Sequence, residues 1–191
     1  MKPRLTNCSL ETSRKGQNAV GELMRAVHHG QVRVKHHDFE NFEGAWVLPD
    51  DPRRDGTILY LHGGGYTCGG LEYALGFGAA LADECGAKVF CAAYRLAPEF
   101  PFPAAVEDAA QAYEYLLKKG YAPEKISLCG ESAGGGLCFA LCLYLRQQGL
   151  PLPGSIVAIS PWTDLTFSGE SFETKKECDV SLSREQLGFY A

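Results

Sequence analysis

The sequence predicts an α/β fold with a mostly parallel central sheet and helices on both of its faces. Two observations carry that expectation. From Thr57 onward the chain has short, nearly continuous apolar runs at 58–61, 87–94, 126–129 and 155–159. Helical segments around 71–84, 104–119 and 133–148 separate these runs. Strands buried on both faces lose the polar alternation of half-buried ones, and parallel neighbours need a crossover between them, so this order reads as strand, helix, strand. No internal repeat or low-complexity tract interrupts it.

Ahead of this core, residues 1–30 are polar, with Val20, Leu23, Met24 and Val27 recurring at i, i+3, i+4 and i+7. That spacing puts four apolar side chains on one helix face, through which the helix is expected to lie on the domain. Next, Val32 and Val34, then Phe39, Phe42, Trp46 and Val47, stand among polar residues. The stretch ends in Pro49-Asp50-Asp51-Pro52, turn chemistry that suggests a hairpin at a sheet edge. On this reading 1–56 is a lead-in helix and edge hairpin and 57–191 the α/β core, together effectively one domain.

A chain of 191 residues is long enough for one sizeable core. With 46% hydrophobic residues, 21% charged residues and a net charge of -5, it has no basic field for nucleic acid or an anionic membrane. The N-terminal run Met1-Lys2-Pro3-Arg4-Leu5-Thr6-Asn7 has no apolar stretch behind it, and no run is long enough to cross a bilayer. A cytoplasmic location is expected. The eight cysteines (Cys8, Cys68, Cys85, Cys91, Cys129, Cys138, Cys142 and Cys178) are scattered, several inside apolar stretches, and read as reduced small hydrophobes. Cys138 and Cys142 stand one helical turn apart, but no histidine or second cysteine pair joins them at ligand spacing, so no metal is expected.

Two motifs carry chemistry. Gly130-Glu131-Ser132-Ala133-Gly134 is a G-x-S-x-G segment between the run 126–129 and a small-residue helix. A serine on such a strand-to-helix turn takes strained backbone angles and exposes its Oγ at the C-terminal edge of the sheet. The competing reading is an ordinary glycine-rich βα turn that cradles phosphate. His62-Gly63-Gly64-Gly65-Tyr66 follows the run 58–61. Backbone without Cβ atoms can lie close to a substrate and aim its N–H groups at a carbonyl oxygen, each donor worth roughly 2.7–4 kcal/mol to the transition state. A nucleotide-binding loop is the alternative, but Gly63 to Thr67 lacks the lysine of a P-loop and the spacing of a dinucleotide fingerprint. In this order the two motifs together point to acyl transfer.

Those motifs, with Tyr94-Arg95-Leu96-Ala97-Pro98-Glu99, Pro101-Phe102-Pro103-Ala104-Ala105, Asp108 and Ser160-Pro161-Trp162-Thr163-Asp164-Leu165, resemble the hormone-sensitive-lipase-like branch of the α/β-hydrolases over roughly residues 57–180. The resemblance implies the α/β-hydrolase fold and hydrolysis of short-chain carboxylic esters through an acyl-enzyme, on a small-molecule ester substrate and with no cofactor. It implies Ser132 as nucleophile and the backbone N–H groups of Gly64, Gly65 and Ala133 as oxyanion hole. His62, Gly63, Gly130 and Gly134 are then structural, as are Asp164 and the stretch 94–108. An amidase or peptidase using the same serine chemistry is an alternative, and a non-catalytic protein binding a small ligand in the same pocket is another. The sequence sets no oligomeric state.

The family pattern breaks after the serine. A triad of this fold runs serine, acid, histidine. All five histidines, His28, His29, His36, His37 and His62, precede Ser132. The two doublets read as solvated loop or strand residues rather than as metal ligands or a substitute base. Asp164 and Asp179 follow the serine, but the family acid comes after a further strand, so neither is assigned. Residues 186–191 stop inside an amphipathic helical pattern after about six of the family's eight strands, so the core is expected to be incomplete and its last strands missing. The edge beyond 156–159 should then be uncovered, and hydrolysis by this chain alone limited to what the oxyanion hole and binding supply, on the order of 10³–10⁴ over water.

Overall fold

The structure is a computed structural model that describes residues 9–179 and 182–191. The reading of residues 1–7, and Cys8, lie outside the described residues. Its elements are α1 (Leu10–Val27), β1 (Val32–Asp38), β2 (Glu43–Pro49), β3 (Thr57–Leu61), α2 (Leu71–Cys85), β4 (Lys88–Ala93), α3 (Ala104–Lys118), β5 (Ile126–Glu131), α4 (Ala133–Gln147), β6 (Ser155–Ile159), α5 (Ser171–Thr174) and α6 (Arg184–Tyr190). The six strands form one sheet in the order β1-β2-β4-β3-β5-β6. β3, β4, β5 and β6 run parallel, and the β1–β2 hairpin is antiparallel and joins β4 antiparallel. This is the mostly parallel sheet that the apolar runs imply.

The sheet is covered on both faces. On one, Leu59, Leu61, Phe90 and Leu128 meet Tyr113 and Leu116 of α3 and Leu137 and Leu141 of α4. On the other, Val47, Tyr60, Val89, Cys91 and Cys129 meet Ala74, Leu75 and Ala79 of α2. Apolar area removed from water contributes roughly 25 cal/mol per Å², which makes these two layers the main stabilising term. β6 is the edge strand, and Val157 and Ile159 on it and Phe139 and Leu143 on α4 are exposed. No helix among the described residues is long and apolar enough to cross a membrane.

Two expectations need correction. The hairpin reverses at 39–42, where the Phe39 N–H donates to the Phe42 carbonyl at 2.9 Å, and not at Pro49-Asp50-Asp51-Pro52, which ends β2 and leads into the inner strand β3. Proline and aspartate mark that segment as a turn without saying which strands it joins.

The second correction concerns α1. Val20, Leu23 and Val27 are 50%, 69% and 76% exposed and only Met24 is half-buried, so most of the apolar stripe faces solvent. The helix docks through the opposite side. A Cβ on Gly21 would stand 2.2 Å from the Glu72 carbonyl oxygen, and one on Gly76 2.5 Å from the Gly21 carbonyl oxygen, so α1 and α2 touch backbone to backbone. Polar anchors flank the contact. Arg14 pairs with Glu99 through two bonds of 2.9 and 2.7 Å and donates to the carbonyls of Thr67 and Ala97, while Arg25 pairs with Glu72 and His28 with Asp83. Close approach of glycine backbone plus charged hydrogen bonds outweighs three exposed apolar side chains, each of which keeps part of its area covered by its own helix. Gly21→Leu is therefore expected to lift α1 and cost about 1–3 kcal/mol, the range for overpacking. Urea unfolding would show it, and an unchanged midpoint would mean that α1 adds no stability.

Candidate active site

β5 ends at Glu131, Ser132 turns the chain and α4 starts at Ala133. Ser132 has φ 54° and ψ -121°, a region that strains any residue with a Cβ. Tertiary contacts hold it there. Its N–H donates to the Ile159 carbonyl at 2.9 Å, and its carbonyl accepts from Trp162 at 2.8 Å. The elbow also sits hard against the end of β3, because a Cβ on Gly134 would lie 2.0 Å from the Leu61 carbonyl oxygen and one on Gly130 2.5 Å from the Gly134 carbonyl oxygen. That closeness is why both positions are glycine.

The loop after β3 faces this elbow: a Cβ on Gly63 would be 3.2 Å from the Cβ of Ser132. Gly64 and Gly65 have φ of 119° and 62°. The Gly64 carbonyl accepts from the N–H groups of Thr67 and Cys68 at 3.2 and 2.9 Å. Among the described residues the N–H groups of Gly64 and Gly65 donate to no acceptor. Ala133 opens α4, and the first N–H groups of a helix have no partner within it. The three donors named by the sequence thus belong to two backbone segments that meet at Ser132.

His62 is fully buried, 0% exposed, and stacks on Tyr94 with ring centroids 4.3 Å apart. Its Nδ1 lies 2.7 Å from the Gly63 carbonyl, so that nitrogen carries the proton. Burial pulls the imidazole pKa down to about 4 despite that bond, and the ring is neutral at pH 7. Folding then excludes a proton that the unfolded chain binds below about 6.5. His62 stability is fully present above that value and is lost as pH falls towards 4, about 3 kcal/mol in all. Between pH 4 and 6.5 the unfolding free energy is expected to rise with pH more steeply than in His62→Gln, by up to one proton; parallel slopes in urea titrations would overturn this.

Ser132 opens into a cavity of about 510 Å³. Gly63, Gly64 and Gly65 form one side and Ser160, Pro161 and Trp162 another; Ser13 and Gln17 of α1, Phe172 of α5 and Leu187 and Tyr190 of α6 add to the wall. The α1 contribution follows from its polar inward face. Among the described residues no histidine lines it. His36 and His37 border a larger surface groove of about 800 Å³ with Trp46 and Tyr115, which lacks the strained serine and the paired N–H donors. His28 is tied to Asp83 at 2.8 Å.

Asp164 accepts from the N–H and hydroxyl groups of both Thr166 and Ser168, which hold its carboxyl well below the usual range and fold its own loop. Asp179 lines the cavity and accepts from the Leu182 N–H at 2.8 Å. Among the described residues no group of three or more histidine, cysteine, aspartate or glutamate side chains could hold a metal ion.

One cluster escaped the sequence reading. The Glu131 carboxylate, beside Ser132, accepts from the Gly63 N–H at 2.6 Å and from the Tyr60 hydroxyl at 2.7 Å, and the Tyr73 phenol stands near enough to feel its charge. Burial raises the Glu131 pKa against the pull of these donors. Burial likewise pushes the Tyr73 phenol up to about 12. A glutamate at the variable position of G-x-S-x-G gives no signal of this until β3 and β5 are side by side.

A family described as alpha/beta hydrolase fold matches residues 58–191. The chain belongs to the α/β-hydrolase family. This α/β-hydrolase is similar to an acetyl-hydrolase of Streptomyces hygroscopicus, 47% identical over 143 residues that make up 74% of this chain and 47% of that protein. It is also similar to the hormone-sensitive lipase of Homo sapiens, 37% identical over 125 residues, 63% of this chain and 12% of the lipase. Among solved structures, an esterase from the bacterial hormone-sensitive lipase family superimposes with a TM-score of 0.87 at 34% identity, covering 99% of this chain and 63% of that one. An esterase/lipase from an uncultured bacterium gives 0.86 at 36%, covering 98% and 62%. These bear out the resemblance to the hormone-sensitive-lipase-like branch. The α/β-hydrolase chain spans under half the length of the first curated relatives that it matches.

Proposed function

We propose that the protein is a serine carboxylic-ester hydrolase acting on short-chain acyl esters through an acyl-enzyme, with Ser132 as nucleophile. The observation that carries this reading is the strained serine on the β5–α4 turn, set against a glycine loop whose Gly64 and Gly65 N–H groups are unspent. In the proposed reaction the Ser132 Oγ attacks the ester carbonyl, and its electrons move onto the carbonyl oxygen. The N–H groups of Gly64, Gly65 and Ala133 hold that developing charge in preorganised positions, which is the largest single contribution in acyl transfer. Collapse expels the alcohol, and water then frees the serine. The names of the relatives, acetyl-hydrolase and esterase, support a small acyl group.

A serine hydroxyl needs an adjacent base at neutral pH. His62 is buried, neutral and turned to Gly63, and the other histidines lie off the cavity, so the base and its acid partner are proposed to lie outside these 191 residues. The test is p-nitrophenyl acetate and butyrate hydrolysis by the full-length protein beside the 191-residue chain, with a fluorophosphonate label mapped by mass spectrometry. Turnover by the full-length form with label on Ser132 is expected. Label elsewhere, or none, would sink the reading. The lack of a histidine in the cavity gives one competitor some support: a non-catalytic binding protein, for which a full-length form binds a small carbonyl compound at equilibrium without turnover.

A further inference from the structure

The Glu131 carboxylate is half-buried, it meets two donors and no lysine or arginine pairs with it among the described residues. A carboxylate away from water and without a cation is costly, so its partners carry the explanation. Its position is also awkward for the chemistry, because negative charge beside an oxyanion hole opposes the charge that the hole must hold. What it does offer is a pin on an N–H of a loop whose other ties, from Tyr94 to the His62 carbonyl and from His62 Nδ1 to the Gly63 carbonyl, are all on carbonyls. Downstream, the loop is tied at the Gly64 carbonyl, which accepts from Thr67 and Cys68. Upstream, it is tied at the Gly63 N–H, by Glu131 Oε1 at 2.6 Å. Between these two ties lies the Gly64 N–H, on the peptide whose carbonyl takes His62 Nδ1 at 2.7 Å, and the Gly65 N–H shares its peptide with the tied Gly64 carbonyl; neither residue has a side chain of its own to fix it. Tyr60 on β3 in turn holds the carboxylate, so the pin is anchored in the sheet.

We propose that Glu131 is a positioning residue: its carboxylate, held by Tyr60, fixes the N–H of Gly63 and so sets the oxyanion donors of Gly64 and Gly65 at the height of the Ser132 Oγ. The proposal rests on the serine-hydrolase reading above. It assigns Glu131 no contact with substrate and no proton transfer. An uncharged isostere should do the same work, since the amide oxygen of a glutamine can accept from Gly63 while its NH₂ donates to the Tyr60 oxygen.

The test compares a trifluoromethyl ketone, whose serine adduct bears the oxyanion, with the matching methyl ketone, which binds without it, on the full-length protein and its variants. Glu131→Ala is expected to weaken the trifluoromethyl ketone on the order of 10²-fold, the effect of losing about one donor. The methyl ketone should change far less, and kcat for p-nitrophenyl acetate should fall with KM nearly constant. Glu131→Gln should recover most of the loss. The proposal is overturned if Glu131→Ala leaves the trifluoromethyl ketone unaffected, if it weakens both ketones equally, or if Glu131→Gln is as weak as Glu131→Ala. Should the alanine variant fail to fold, Glu131→Gln and Tyr60→Phe decide: retention in the first with partial loss in the second supports the pin, and the reverse refutes it. If the unaltered protein does not distinguish the two ketones, the hydrolase reading itself fails, which is a different result.

Discussion

Ser132→Ala in the full-length protein is expected to lower kcat for p-nitrophenyl acetate by on the order of 10⁴–10⁶, the loss seen when the nucleophile of a serine hydrolase is removed. The reason is local. Only the Oγ is deleted, while the turn is held by backbone bonds that alanine keeps, from Ser132 to Ile159 and from Trp162 and Gly136 back to Ser132. Binding of the methyl ketone should therefore persist. Ser132→Gly makes a sharper companion. Glycine relieves the strain of φ 54°, worth of order 1–3 kcal/mol, and gives back roughly 0.5–1 kcal/mol in backbone entropy. It should be as inactive as alanine and at least as stable to urea. If instead the alanine variant keeps its rate, the nucleophile lies elsewhere. If the glycine variant is much less stable than the parent, the serine hydroxyl and not the backbone is what holds the elbow.

The parallel core was legible because its signals are local and dense. Buried strands of five or six residues write themselves as apolar runs, and the elbow and the glycine loop announce positions where a Cβ has no room, as at Gly134 and Gly130. The parts that were not legible depend on what each segment meets. Val20, Leu23 and Val27 form a correct amphipathic stripe on a real helix, yet the docking face is decided by Gly21 against Gly76 and by the reach of Arg14 to Glu99 and two backbone carbonyls. Strand order is similar: nothing within β2 says that it pairs with β4 rather than with β3, the next strand in sequence. The Glu131 cluster needs Tyr60, Gly63 and Tyr73, which are 58 to 71 positions away in the chain, and no motif spans that gap. The polar wall of Ser13 and Gln17 became visible only once α1 was seen to turn its polar side inward.

The largest loss of stability is expected at a residue with no chemistry to perform. The Asp108 side chain is fully buried, 0% exposed, on α3 and takes three donors from Arg95: the Arg95 N–H at 2.8 Å, Nε at 2.9 Å and Nη2 at 2.7 Å. That one carboxylate ties the end of β4 to the start of α3. The tie matters beyond its own energy, because Tyr94, the residue before Arg95, stacks on His62 and donates its hydroxyl to the His62 carbonyl, at the root of the glycine loop. Removing one partner of a buried ion pair leaves the other uncompensated and typically costs about 3–5 kcal/mol. Arg95 keeps 19% of its side chain in water, and Glu107 stands 3.5 Å away as a substitute, so the lower end, about 3 kcal/mol, is expected for Asp108→Ala. Arg95→Ala should cost a similar amount, and the double variant much less than the sum, because neither charge is then stranded. Urea unfolding of the four proteins measures the coupling directly. A coupling below about 0.5 kcal/mol would mean that the two residues act independently and that the bidentate geometry adds nothing to stability. A large coupling together with a fall in kcat for Asp108→Ala, at temperatures where the variant is still folded, would show the route from this buried pair through Tyr94 and His62 to the oxyanion donors.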